Sequence, residues 1–137
     1  MKKILLAALI ASTAACSQLN GVTDMMSSDS LVGKWDISSI NNEAVNEDSK
    51  AYIEFGKDGK VHGNSSCNNF TGGFDIAKMG LDFGPIAGTR KLCDNAANLQ
   101  ETKLLQALPK VSDYGIEDGG LVLKDAEGNT LVKAQRQ

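Results

Sequence analysis

The chain has 137 residues, 17 acidic against 14 basic, with one histidine and three cysteines. A formal charge of −3 and no long basic cluster exclude the electrostatic footprint of a nucleic-acid binder. One histidine and few cysteines leave little for metal or hydrolytic chemistry, and the length suits a single domain.

Met1-Lys2-Lys3 runs into the uncharged apolar stretch Ile4 to Ala11. That stretch is far short of the roughly 20 apolar residues that span a bilayer. With its basic start and the small residues behind it, the segment 1–15 reads as a secretory signal peptide. Ser12-Thr13-Ala14-Ala15 leads straight into Cys16, an order similar to the lipobox of bacterial lipoproteins, where cleavage precedes a cysteine that then carries lipid. Thr13 stands where an aliphatic residue is usual, so ordinary signal-peptidase cleavage is the alternative. That cleavage leaves Cys16 as an odd thiol in an oxidising compartment. Acyl chains on Cys16 anchor the protein in a membrane, each buried methylene contributing about 0.8 kcal/mol. Ser17, rather than Asp, follows the cysteine, which in enteric bacteria is the pattern of outer-membrane lipoproteins facing the periplasm. Loss of Lys2 and Lys3 takes the formal charge from −3 to −5.

Residues 16–30 are polar and small, with the run Ser27-Ser28-Asp29-Ser30, and read as a lipidated cysteine followed by a solvated tether. The folded domain is expected over 31–137. Trp35 and Ile37 alternate with Lys34, Asp36 and Ser38, and Ala51, Ile53 and Phe55 alternate with Tyr52 and Glu54, both strand patterns. Gly56-Lys57-Asp58-Gly59 closes a hairpin into Lys60 to Gly63. Phe74 to Ile76, Leu81 to Ile86, Val111 to Ile116, Leu121 to Lys124 and Thr130 to Ala134 supply further short strands, the last two joined by Ala126-Glu127-Gly128-Asn129.

One segment departs from the strand pattern. Ala97, Glu101, Leu104, Leu105 and Leu108 fall on one helical face, which predicts a helix over about 96–108. Asp94 or Asn95 supplies the cap and Pro109 the stop. The fold class is therefore mainly β: an antiparallel sheet curled into a small barrel or roll, with one helix plugging or flanking it.

Cys67 and Cys93 lie 26 positions apart and outside the leader. Two cysteines allow one intramolecular pairing, and in the chain-entropy account a loop of this length is worth roughly 3–4 kcal/mol. The competing reading is a reactive thiol activated by Arg90 and Lys91, for which His62, the only histidine, is in no evident position to act as base. Asn64, Ser65, Ser66, Asn68 and Asn69 suit an irregular turn, because their short polar side chains bond to nearby backbone. Asn64, Asn68, Asn69 and Asp94 also offer oxygen donors for calcium, although the spacing matches no EF-hand. Arg90 either braces the loop by donating to carbonyls or faces an anionic partner. Asn68, Asn69, Thr89 and Arg90 form the candidate binding face.

The stretch Gly63-Asn64-Ser65-Ser66-Cys67-Asn68-Asn69-Phe70-Thr71-Gly72-Gly73-Phe74 resembles the first motif of the META domain, the HslJ-like group of envelope and secreted proteins. Gly88-Thr89-Arg90-Lys91-Leu92-Cys93 resembles its second motif, a Thr-Arg pair followed shortly by Cys. Leu31-Val32-Gly33-Lys34-Trp35, the Phe55 strand, the helix end Leu104-Leu105-Gln106-Ala107-Leu108 and the close Leu121 to Asp125 are similar as well, so the resemblance covers about residues 31 to 135. Lys91 departs from it, standing where many members carry an apolar residue. The resemblance implies a small β-rich domain with a helix, often on lipoproteins and in some members linked to heat or envelope stress, and brings no enzymatic activity or agreed ligand.

No catalytic constellation, cofactor motif or metal-ligand spacing emerges. Glu117-Asp118 and Glu43 with Glu47 and Asp48 read as solvated turns, and Trp35 as core. The leading expectation is a non-enzymatic envelope lipoprotein that binds or scaffolds an envelope protein or ligand under stress. The alternative is a carrier holding a small apolar ligand inside the barrel. A protease inhibitor or secretion pilot is a third class, resting on fold analogy.

Overall fold

A computed structural model describes residues 28–77 and 80–137. The leader, Cys16 and the first part of the tether lie outside the described residues. Elements follow in the order α1 (Ser28–Leu31), β1 (Gly33–Ile40), β2 (Glu43–Ala44), β3 (Tyr52–Phe55), β4 (Lys60–Asn64), β5 (Asn69–Ala77), β6 (Gly80–Phe83) and β7 (Ala87–Gly88). After them come α2 (Asn95–Ala107), a 3-10 turn (Leu108–Lys110), β8 (Asp113–Glu117), β9 (Gly120–Lys124) and β10 (Thr130–Arg136). Every pairing is antiparallel, and eight strands close a ring in the order β10-β9-β8-β6-β5-β4-β3-β1, with β1 returning to β10. β2 and β7 are short additions to β1 and β5.

The ring is not a regular barrel. Between β6 and β8 it is joined by the single pair Gly80 and Asp113, helped by Leu81 N–H donating to the Ser112 carbonyl at 3.1 Å. Between β1 and β10 the register shifts from Ile37 to Ser39. Asp58-Gly59 turns β3 into β4 as its sequence predicts, Gly59 sitting at φ +77°.

Strand alternation sends Trp35, Ile37, Ile53, Phe55, Val61, Leu121, Leu123 and Val132 inward, where they join Leu104, Ala107 and Leu108 of the helical segment in one buried cluster. Trp35, Phe55, Leu104 and Leu108 are each at most 1 % exposed. Among the described residues these side chains fill the interior where the carrier alternative would seat an apolar ligand. α2 starts one residue earlier than its sequence suggests, with Asp94 accepting from Ala97 N–H at 2.8 Å as the N-cap. Its buried face is Ala97, Gln100, Leu104 and Ala107, while Glu101 and Leu105 are half-buried. Pro109 does not end the coil at once; it sits in the 3-10 turn that follows.

Two further differences have physical causes. Ser28–Ser30, placed by sequence in the tether, belong to the turn α1, which is fastened to the sheet. Leu31 is fully buried, and its carbonyl accepts from Trp35 Nε1 at 2.8 Å. Arg136 donates to the Ser30 and Val32 carbonyls at 2.7 and 2.6 Å and stacks on the Trp35 ring at 4.2 Å. β5 begins at Asn69, five residues before the strand that Phe74 announces in the sequence. Asn and Gly are poor strand formers, but a full ladder to β4 and burial of Phe70 override that preference.

The glycines of this stretch answer to close approach. A Cβ at Gly72 would lie 2.6 Å from Ile86 Cδ1 and 2.9 Å from the Pro85 carbonyl. At Gly73 the nearest atom would be the Gly59 carbonyl at 3.8 Å. Gly72→Ala is therefore expected to cost about 1–3 kcal/mol through overpacking, whereas Gly73→Ala stays within about 0.5 kcal/mol. Denaturant midpoints for the two variants check this, and equal losses would remove the close-approach explanation.

Asp125 organises the last hairpin turn, accepting from the Asn129 side chain at 3.1 Å and from the Asn129 and Glu127 N–H groups at 2.8 and 3.0 Å. The Asn129 side-chain bond first, then the backbone donors, hold its carboxyl below the usual value of 3.8. Its contribution to stability is thus present above the unfolded-state value and fades as pH falls through the lower folded one. Asn129→Ala should move the Asp125 titration upward toward its ordinary value, followed by carboxyl NMR shifts; an unmoved midpoint would contradict the assignment.

Candidate functional site

The turn between β4 and β5, residues 65–68, forms one wall of the site. Ser66 adopts a left-handed φ of +77°, held by its N–H donating to Asn64 Oδ1 at 2.7 Å. Ser65 is fully buried: its hydroxyl accepts from the Cys67 and Asn68 N–H groups at 3.2 and 3.0 Å and donates to Glu101 Oε1 at 3.1 Å. The second wall is the segment from Thr89 to Asp94, which has no turn, bend or helix of its own. A disulfide between Cys67 and Cys93 ties the two walls together, with the Cα atoms 5.9 Å apart.

Asn68 sits between the walls at 4 % exposure. Its Oδ1 accepts from the Lys91 N–H at 2.7 Å and from the Thr89 hydroxyl at 2.9 Å. Its Nδ2 donates to the Lys91 carbonyl at 2.9 Å and to Glu101 Oε2 at 3.0 Å. One carboxamide thus joins the turn, the 89–93 segment and α2, with every hydrogen-bonding position used. Around it, Asn98 pairs with both backbone groups of Cys93 at 3.2 and 2.9 Å. Gln100 donates to the Ser65 carbonyl and the Ser49 hydroxyl at 3.1 and 2.8 Å and accepts from Asn46 N–H at 3.0 Å. No buried side-chain polar atom among the described residues lacks a partner.

The residues singled out from sequence separate into two groups. Cys67 and Cys93 are bonded, which removes the reactive-thiol alternative. Asn68 is interior, while Asn69, Thr89 and Arg90 reach the surface. The calcium alternative loses its donors: Asn64 and Asn69 bond to each other at 2.8 Å, Asn68 is saturated, and Asp94 caps α2. Arg90 does not brace the loop, since Asn68 does that through Lys91. Among the described residues Arg90 makes no hydrogen bond or ion pair, and it lines an open groove with Ile86, Thr89, Glu101 and Leu105. Among the same residues no three His, Cys, Asp or Glu side chains gather as a metal site. Cys16 lies outside them.

Sequence reasoning passed over Asn98 and Gln100, and read Ser65 as a turn residue without its bond to Glu101. Asn98 and Glu101 stand three apart on a helix beside a cysteine, a spacing that puts two polar groups on one face. That signal was available.

The META-domain family profile matches residues 29–137. The chain belongs to the META-domain family. No curated protein sequence is significantly similar to it. Among solved structures, an NMR structure of a protein from Burkholderia xenovorans aligns with a TM-score of 0.65 at 20% identity, covering 98% of this chain and 99% of the other. A second NMR structure aligns with a TM-score of 0.60 at 22% identity over 76% of this chain and 89% of that one. A crystal structure of a DUF4847 family protein from Bacteroides vulgatus ATCC 8482 aligns with a TM-score of 0.55 at 16% identity, over 85% and 98%. At these identities the likeness concerns the fold.

In this META domain, removing the central carboxamide leaves buried partners unpaired, each costing about 1–3 kcal/mol. Asn68→Ala should therefore lower Tm on the order of 10 °C, with the disulfide still formed by thiol counting. Asn69→Ala, at an exposed position, should shift it little. Comparable melting of the two variants would mean that Asn68 is not the keystone.

Proposed function

We propose that this META domain is a non-enzymatic, lipid-anchored module of the bacterial cell envelope that binds or scaffolds an envelope component, in a setting of heat or envelope stress. The observation that carries the reading is the contrast at the candidate site. A disulfide and a saturated Asn68 hold the 89–93 segment in place, while Arg90 makes no hydrogen bond or ion pair among the described residues and Leu92 is 87 % exposed. Rigid presentation of exposed side chains lowers the ordering cost of association, which suits a binding surface. The leader-like segment 1–15 and Cys16 supply the export and anchor, and an oxidising compartment suits a disulfide between Cys67 and Cys93. The resemblance to HslJ-like proteins, often found on lipoproteins, is consistent with an envelope setting and names no ligand.

Intact-mass spectrometry of the protein isolated from its native membrane tests the anchor. The expected species begins at Cys16 with acyl mass attached and gains about two daltons on reduction, for two thiols formed from one disulfide. A mature chain cut elsewhere and bearing no lipid would overturn the anchored reading. Recovery of the same envelope component by wild type but not by Arg90→Ala, after cross-linking in cells, is expected for the binding role. Equal recovery by both would move the binding face away from this loop.

A further inference from the structure

We propose that the segment Thr89–Asp94 is a protease-binding loop that engages a serine protease of tryptic specificity, with Arg90 in the specificity pocket and the Arg90–Lys91 peptide bond at the reactive serine. This deepens the binding role above and rests on the protein being exported, where such proteases are met.

A protease of this kind holds its substrate as an extended strand, places one arginine or lysine against a pocket carboxylate, and needs the carbonyl and N–H of that residue unoccupied. Arg90 meets the last two requirements: it is exposed, and neither its backbone nor its side chain is hydrogen-bonded among the described residues. The residues on both sides of it are spent internally. Thr89 N–H donates to the Asn69 carbonyl at 3.0 Å, and its hydroxyl donates to Asn68 Oδ1 at 2.9 Å. Lys91 N–H donates to Asn68 Oδ1 at 2.7 Å, and the Lys91 carbonyl accepts from Asn68 Nδ2 at 2.9 Å. Two residues on, Cys93 is fixed by the disulfide and by Asn98. Among the described residues β7, which feeds the loop, is paired with β5 alone, which leaves its other edge for main-chain pairing. Leu92 adds an exposed apolar contact beyond the scissile bond.

Such bracing turns a substrate into an inhibitor. The protease serine oxygen attacks the Arg90 carbonyl carbon, the Arg90–Lys91 C–N bond breaks, and the serine proton passes through the protease histidine to the Lys91 nitrogen. In a flexible peptide the new amine diffuses away and water completes hydrolysis. Here Asn68 and the Cys93 disulfide keep the Lys91 amine beside the acyl carbon. It re-attacks, expels the serine oxygen and restores the peptide bond, with the proton returned to serine. Preorganisation makes binding tight for the same reason.

The test uses the full chain in detergent, with trypsin and chymotrypsin as probes and chromogenic anilide substrates as readout. Wild type should inhibit trypsin competitively, Arg90→Lys should retain this, and Arg90→Ala should weaken it at least 100-fold. Arg90→Phe should transfer inhibition to chymotrypsin, a change that misfolding cannot produce. Rapid cleavage of wild type after Arg90 without steady-state inhibition, or no effect on either protease, overturns the proposal. Cross-linking to an envelope component in an Arg90-dependent way, together with no protease inhibition, would sink this inference and leave the binding role standing. Loss of both would sink both.

Discussion

The carboxamide of Asn68 is the constraint on which the candidate site depends. A buried amide without partners costs on the order of 1–3 kcal/mol per group, so the chain folds only if other segments arrive to satisfy it. Those segments are remote in sequence: Lys91 and Thr89 lie 23 and 21 residues away, and Glu101 lies 33 away. The disulfide joins two of the same segments but does a different job. It shrinks the unfolded ensemble and leaves orientation open, whereas the amide, with two donors and two accepting lone pairs in one plane, fixes which backbone groups face inward. Covalent closure and directional bonding act on one place, and together they specify it.

The rest of the molecule is arranged to bring those segments together. β5 must pass close beneath residues 85 and 86 so that the chain can return along it as β7, and Gly72 makes room for that passage. On β4, a Cβ at Gly63 would collide with the Phe70 ring and the Tyr52 carbonyl, so the aromatic ring covers the glycine instead. The ring of strands is thin at the β6–β8 seam, where one residue pair joins them. The helical segment compensates by adding Leu104, Ala107 and Leu108 to the strand core. That docking also carries Asn98, Gln100 and Glu101 to the turn. One helix therefore closes the core with one face and completes the polar knot with the next.

Much of the fold was legible from period and punctuation: the β1 and β3 alternation, the Asp58-Gly59 turn, the helix with its Asp94 cap, and three strands after it. The single pairing open to Cys67 and Cys93 was legible by arithmetic. Strand β5 was not, because Asn69 to Gly73 is a turn-like string that becomes a strand only through its ladder with β4. The extension of order back to Ser28 was hidden as well, since it depends on Arg136, more than a hundred residues away. At the site, composition identified the neighbourhood but not every role. Asn68, read as part of the binding face, is interior, and of the two readings of Arg90 the bracing one finds no hydrogen bond among the described residues. Local sequence reports which groups can form hydrogen bonds, and only the tertiary meeting decides which ones do.

The two arginines make that last point in energetic terms. Arg136 donates two hydrogen bonds to carbonyls and covers Trp35, so its charge and its flat guanidinium are both used by the fold. Among the described residues Arg90 donates none, and ordering its side chain would cost conformational entropy without return from a hydrogen bond. Folding stability thus accounts for an arginine at one position and is indifferent to it at the other. Immediately beside the indifferent one, the fold commits a buried amide, a disulfide and a helix to holding the backbone still. Immobilising a segment around a side chain that stability does not require makes physical sense when something outside the domain reads that side chain, and a guanidinium on a fixed stem is suited to a carboxylate at the bottom of a pocket.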